Sequence, residues 1–169
     1  MYHETFAMFA GYNGWANRRV FDAAADLPAE ALRADRGLFF GSVLATLNHI
    51  LAADRIWMKR FTGQGEAPDG LDATLFKDLP ALRTARAAED ARIAGWIESL
   101  DETDFAATFS YRRLADPAVI TQPLAPALFH LFNHQTHHRG QCHAALTGLG
   151  RPSVVLDMVA FQREANGPR

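Results

Sequence analysis

Five of the seven histidines in this chain fall between residues 130 and 143, in the run His130-Leu-Phe-Asn-His134-Gln-Thr-His137-His138-Arg-Gly-Gln-Cys-His143. Imidazole is a common metal ligand and titrates near neutral pH. On a helix, residues four apart stand one above the other, with Cβ atoms roughly 5–6 Å apart. His134 and His138 can therefore aim at one point. The pair His130 and His134 is the rival, on a face rotated only slightly. An isolated pair at this spacing is often chance or a surface feature. Here His134 and His138 fall on the apolar stripe Leu124, Ala127/Leu128, Leu131, His134, His138, Cys142, Ala145 and Leu149. Buried imidazoles must find a hydrogen bond or a metal, because unpaired burial is costly.

A stable site needs a third donor, and His49 is the best placed. It sits mid-helix beside an apolar arc, and its neighbours four residues away, Ala45 and Ala53, are small. Three nitrogen donors leave positions open for water or substrate, the pattern of a catalytic rather than a closed structural ion. Imidazole suits zinc, nickel, copper and iron, so ligand type alone does not name the metal. The His134–His138 stretch carries no Asp or Glu, unlike the His-Glu-x-x-His arrangement in which a carboxylate serves as base. Asp54 is a weak candidate base. This absence favours a thiol nucleophile, which needs only the metal to be deprotonated.

Other residues carry two readings each. Asn13 and Asn17 either orient a ligand or substrate, or form a polar pair bonded to a neighbouring helix; the second is favoured. Trp15 and Trp57 line a pocket mouth or, more commonly for helical aromatics, pack in the core. Cys142 is a nucleophile, a soft fourth ligand, or a small buried hydrophobe, the usual fate of a single thiol. Arg139 and Gln141 are expected to face away from the metal, fixing helix packing or a dimer contact. His137 and His143 are expected at the surface, and His3 near the terminus has no assigned role.

Four long helices would position these groups. Residues 3 to 26 carry Phe6, Phe9, Ala10, Asn13, Ala16, Val20 and Ala24 at helical spacing, and Leu27-Pro28 ends the run. Residues 42 to 62 begin at the N-cap Ser42 and close at Gly63. Residues 63 to 72 form a Gly-, Pro- and acid-rich loop. Residues 79 to 100 follow the cap Asp78, with Pro80 in the first turn. Residues 124 to 149 form the fourth helix, ended by Gly148 and Gly150. Between helices three and four, residues 105 to 123 suggest a short hairpin, with a turn at Leu114 to Pro117, or an irregular crossover. Val154 to Arg163 is a short helix or an edge strand. The pattern is all-α, a four-helix bundle in one domain spanning residues 1 to 169.

Bulk properties exclude several alternatives. The 169 residues carry a net charge of −2, so no basic surplus points to nucleic acid. One cysteine permits no internal disulfide. No stretch approaches the roughly 18 apolar residues of a membrane span, and Met1-Tyr-His-Glu-Thr does not resemble a secretory signal. Cytoplasm is the expected location.

Three segments also carry a family resemblance. Asn133 to Gln141, with its His137-His138-Arg139-Gly140-Gln141 string, looks like the last-helix motif of the DinB (damage-inducible) proteins. Thr46 to Trp57, around His49, looks like their second-helix motif, and Tyr12 to Asn17 resembles their first helix. The match covers nearly the whole chain in the expected order. It implies a DinB/YfiT-like bundle, often homodimeric, with His49, His134 and His138 holding zinc, nickel or a similar ion. Relatives include transferases and isomerases that use low-molecular-weight thiols. The leading expectation is a metal-dependent enzyme that activates a thiol or water nucleophile, as a thiol transferase or a hydrolase, on a small-molecule substrate. The alternative is a non-catalytic metal-binding stress-response or interaction protein, in which the ion clamps the second helix to the fourth.

Overall fold

Ser42 and Asp78 start their helices as anticipated, each accepting a hydrogen bond from the backbone three residues on: Ala45 N at 3.1 Å and Ala81 N at 2.9 Å. The computed structural model describes residues 1–114, 116 and 118–167. Its elements are α1 (Tyr2–Ala25), α2 (Ala29–Arg33), α3 (Val43–Thr62), α4 (Leu79–Glu98), β1 (Thr108–Arg112), β2 (Val119–Pro123), α5 (Leu124–Gly148) and α6 (Met158–Asn166). Gly63 closes α3 in the left-handed conformation, φ 69°, which a Cβ would penalise.

The four long helices α1, α3, α4 and α5 form the bundle, with α1 against α4 and α5, and α3 against α5 and α4. The core lies in two apolar clusters. One, around Phe21, Leu47, Leu51, Leu82 and Leu146, fills the end near α2. The other, around Phe6, Met58, Ile97, Phe105 and Leu131, fills the opposite end. There Phe6 meets Phe105 and Phe129 with ring centroids 5.4 and 4.8 Å apart. Burial of such rings is the main force closing the bundle.

Residues 105–123 resolve as a hairpin rather than a crossover. β1 and β2 pair antiparallel, Ser110 opposite Thr121, and Phe109 and Tyr111 pack on Phe61 and Trp57. Of the expected turn, Ala115 and Pro117 lie outside the described residues. The last segment is helical: α6 lays Phe161 against Tyr12 and Trp15 of α1. Residues 29–41, outside the helices expected from the sequence, contain α2 and a tight turn bearing Phe39 and Phe40. None of the described helices is long and apolar enough to cross a membrane.

Between the apolar clusters runs a buried polar network. Asp54 of α3 pairs with Arg86 of α4 at 2.7 Å, and Arg86 also reaches Asp90 at 3.0 Å. Asp90 accepts from Asn13 at 3.2 Å and Asn17 at 3.0 Å. Arg139 of α5, buried, donates to the side-chain oxygens of Asn13, Asn17 and Gln135, while Gln135 donates to Asp54. Each long helix contributes, so the network fixes how α5 is rotated against the others. Misrotation would strand buried charges and amides.

Candidate metal centre

The rotation of α5 differs from the expected stripe. Leu128, Leu131, Gln135, Arg139, Cys142 and Leu146 are buried, whereas Ala145 and Leu149 are only half-buried. The polar network draws Gln135 and Arg139 inward, and this displaces His134 and His138 to the flank facing α3. His138 is buried and His134 half-buried there, with His49 of α3 opposite, buried. The flank position opens the histidines onto a cleft instead of sealing them in the core.

Three rings converge at that flank. His49, His134 and His138 each bring one nitrogen within 4.8 Å of the others. The Nε2 atoms of His49 and His134 stand 3.1 Å apart. Two nitrogens bound to one ion at about 2.0–2.1 Å lie about 2.9 Å apart at a right angle and about 3.4 Å apart at the tetrahedral angle. The observed separation falls between these limits.

Outer contacts set the tautomers. His49 Nδ1 lies 2.7 Å from the Leu71 carbonyl, which only accepts. The proton of His49 is therefore on Nδ1, and its Nε2 lone pair faces His134. His138 Nδ1 likewise donates to Gln141 Oε1 at 2.8 Å, leaving Nε2 free. This is how metal-ligating histidines are commonly oriented. His134 Nδ1 is buried and has no hydrogen-bond partner among the described residues. Two facing ring nitrogens, one with its lone pair committed inward, need a proton or a cation between them. The donor set fits a borderline divalent ion.

Burial lowers the pKa of all three rings. His134 falls to about 3, chiefly through desolvation and then through the charges of His138 and His49. His49 and His138 are also lowered, desolvation leading in each case. At neutral pH the rings are neutral and need shed no proton to bind a metal.

The cleft over the histidines, about 330 Å³, is lined also by Phe39, Phe40, Leu71, His137 and Gln141. Phe40 stacks on His49, with centroids 3.8 Å apart and planes at 21°. His137 is exposed as expected but sits on the rim, its Nε2 3.2 Å from Gln141 Nε2. Gln141 faces the histidines rather than away from them. Arg139 does face away, into the core. His130 is exposed and packs on Trp57, its ring 5.8 Å from His134; it stands beside the triad and is not part of it. His143, half-buried, bonds Ser153 and the Val154 amide.

Several proposed roles dissolve. Asp54 is buried and committed to Arg86 and Gln135, so it is no base for this cleft. Cys142 is fully buried, and burial pushes its thiol up to about 12, the opposite of an activated nucleophile. Asn13 and Asn17 bond to Asp90 and Arg139, a helix-packing role. Trp15 is core, donating Nε1 to Glu164 at 2.7 Å. Trp57 is half-buried against Phe61, Tyr111 and His130.

The model of the DinB family matches residues 1–169. The chain belongs to the DinB family. It is similar to Protein DinB of Bacillus subtilis (strain 168), 26% identical over 154 residues, covering 86% of this chain and 87% of that protein. The fold resembles the crystal structure of a DinB-like protein from Bacillus cereus ATCC 10987, with a TM-score of 0.71 and 18% identity, covering 92% of this chain and 99% of that one. DinB membership and the three-histidine cluster are compatible with metal binding.

Proposed function

We propose that this DinB-family chain is a divalent-metal-dependent enzyme that activates a small thiol or water nucleophile, acting as a thiol transferase or a hydrolase. One observation carries the reading: three imidazoles converge at the floor of an open cleft, two of them with their Nδ1 protons committed to acceptors on Leu71 and Gln141 in its wall. His49, His134 and His138 are the ligands, and zinc or nickel is the ion, both among the metals that imidazole suits. Such an ion, when bound, supplies Lewis acidity that makes water or a thiol nucleophilic near neutral pH.

The chain's own groups do the rest. Leu71 and Gln141 hold two rings in the binding tautomer. Phe40 covers one face of His49 and excludes water from it. No Asp or Glu lines the cleft among the described residues, so no carboxylate serves as general base there. A thiol, acidic enough to ionise at an ion without help, is therefore favoured over water. The working unit is a homodimer in the cytoplasm, acting on a small molecule without a nucleic-acid or membrane partner.

The test is turnover. The metal-loaded chain is assayed with uncharged thiols (2-mercaptoethanol, benzyl mercaptan) and with cysteine and glutathione against 1-chloro-2,4-dinitrobenzene, and with p-nitrophenyl esters in water. Ion-dependent turnover that His49→Ala abolishes is expected. Tight metal binding with no turnover in either assay would instead favour the non-catalytic role, in which the ion clamps α3 to α5.

A further inference from the structure

Phe39 is 82% exposed at the mouth of the histidine cleft. Its backbone is held in place. Gly37 and Gly41 flank it at φ 69° and 78°, in the left-handed region that side chains disfavour. Gly41 N donates to the Leu38 carbonyl at 2.8 Å and Arg36 N to the Gly41 carbonyl at 2.7 Å, closing the turn. The sequence thus spends two glycines on a tight turn that presents a phenyl ring to solvent.

That ring begins an aromatic path to the metal centre. Phe39 meets Phe40 edge-on with centroids 4.8 Å apart, and Phe40 stacks on His49 at 3.8 Å. Leu71, 46% exposed, also lines the cleft. Among the described residues lining it, none is Lys, Arg, Asp or Glu. A phosphate or carboxylate on the body of a ligand would find no Lys or Arg there to pair with. A volume of about 330 Å³ is that of a small-molecule site with mostly apolar walls. The three converging histidines lie at the floor, while His137 and Gln141 stand toward the rim.

We propose that the cleft selects a ligand with an uncharged aryl or alkyl body, which lies on Phe39 while its polar head reaches the three histidines. This rests on the metal-centre reading above and names the substrate class of that site.

The experiment uses the cobalt(II)-loaded chain, whose visible absorption reports ligands at the ion. Acetohydroxamate, benzohydroxamate and 4-carboxybenzohydroxamate are titrated into wild type and Phe39→Ala. Each affinity is divided by that of the same compound for free cobalt(II). The wild type should favour benzohydroxamate over acetohydroxamate by about tenfold or more, as burial of a phenyl group predicts. The 4-carboxy compound should lose that advantage. Phe39→Ala, at an exposed position outside the ligand set, should keep its cobalt affinity and lose most of the preference. Equal normalised affinities in wild type, an undiminished preference in Phe39→Ala, or tighter binding of the carboxylated compound would overturn the proposal. A chain that takes up no cobalt would overturn the metal reading at the first step, and the proposal with it.

Discussion

Replacing Gln141 by leucine should weaken the chain's hold on its ion while leaving the fold intact. Gln141 Oε1 accepts from His138 Nδ1 at 2.8 Å, and this bond exists whether or not an ion is present. Only its strengthening on metal binding therefore counts toward affinity. A neutral hydrogen bond nets about 1 kcal/mol, and a bond to a charged group about 1.5–3 kcal/mol. The difference, about 0.5–2 kcal/mol, corresponds to roughly 2- to 30-fold in Kd. This overlaps the 10- to 100-fold typical of partners behind a ligating histidine. Leucine fills a similar volume at this half-buried position, so unfolding free energy without metal should fall by only about the 1 kcal/mol that the lost hydrogen bond nets. Gln141→Glu should act in the opposite direction, because a carboxylate acceptor makes the ring a better donor to the ion. Competition against a chromophoric chelator gives the Kd values, and urea unfolding of the metal-free chains gives stability. A leucine variant within twofold of wild type, or a glutamate variant that weakens binding as much as leucine, would refute the reasoning.

Arg86→Met strands the buried carboxylate of Asp54 and should cost about 3–5 kcal/mol at pH 8 by urea denaturation. Burial pushes Asp54 up to about 6 against the pull of Arg86, above its unfolded value of roughly 4. Arg86→Met removes that pull, so the folded variant holds Asp54 higher still and takes up its proton before folded wild type does, which relieves the cost of the stranded charge as pH falls. The variant's deficit should be smaller at pH 5 than at pH 8, and a constant deficit would contradict this. The depressed pKa values of His49, His134 and His138 mean that protons compete with the ion only at more acid pH than for free imidazole, about 6.5. Chelator competition should show the affinity falling with acid at a lower pH than free imidazole ligands would give; a decline that tracks free imidazole would contradict the burial argument. Cys142 should resist a chromogenic disulfide reagent in the folded chain and react once urea unfolds it, since its buried thiol is pushed up to about 12; rapid labelling of the native chain would be the contrary result.

The helices and their caps could be read directly because their signals are local. Ser42, Gly63, Asp78 and Pro80 act within one turn of themselves, and spacing alone locates the long apolar faces. The convergence of His49 with His134 and His138 was also legible, from an i, i+4 pair and one mid-helix histidine with small neighbours. The rotation of α5 was not. Gln135 and Arg139 are polar, and a hydrophobicity stripe ranks them outside, yet Asp54, Asn13 and Asn17 on other helices supply the partners that bring them in. The same omission misread Asp54 as a possible base and Gln141 as facing away. Leu71 acts through its backbone carbonyl, which leaves no trace in residue type. The Phe39–Phe40 turn did leave one, a glycine on either side of an aromatic pair.

Metal content of the natively purified chain, measured by inductively coupled plasma mass spectrometry beside His138→Ala and His137→Ala, tests the central claim most directly. About one divalent ion per chain, retained in His137→Ala and lost in His138→Ala, is the predicted result. No ion in any of the three after incubation with zinc, nickel and manganese, or equal loss from the His137 variant, would contradict it.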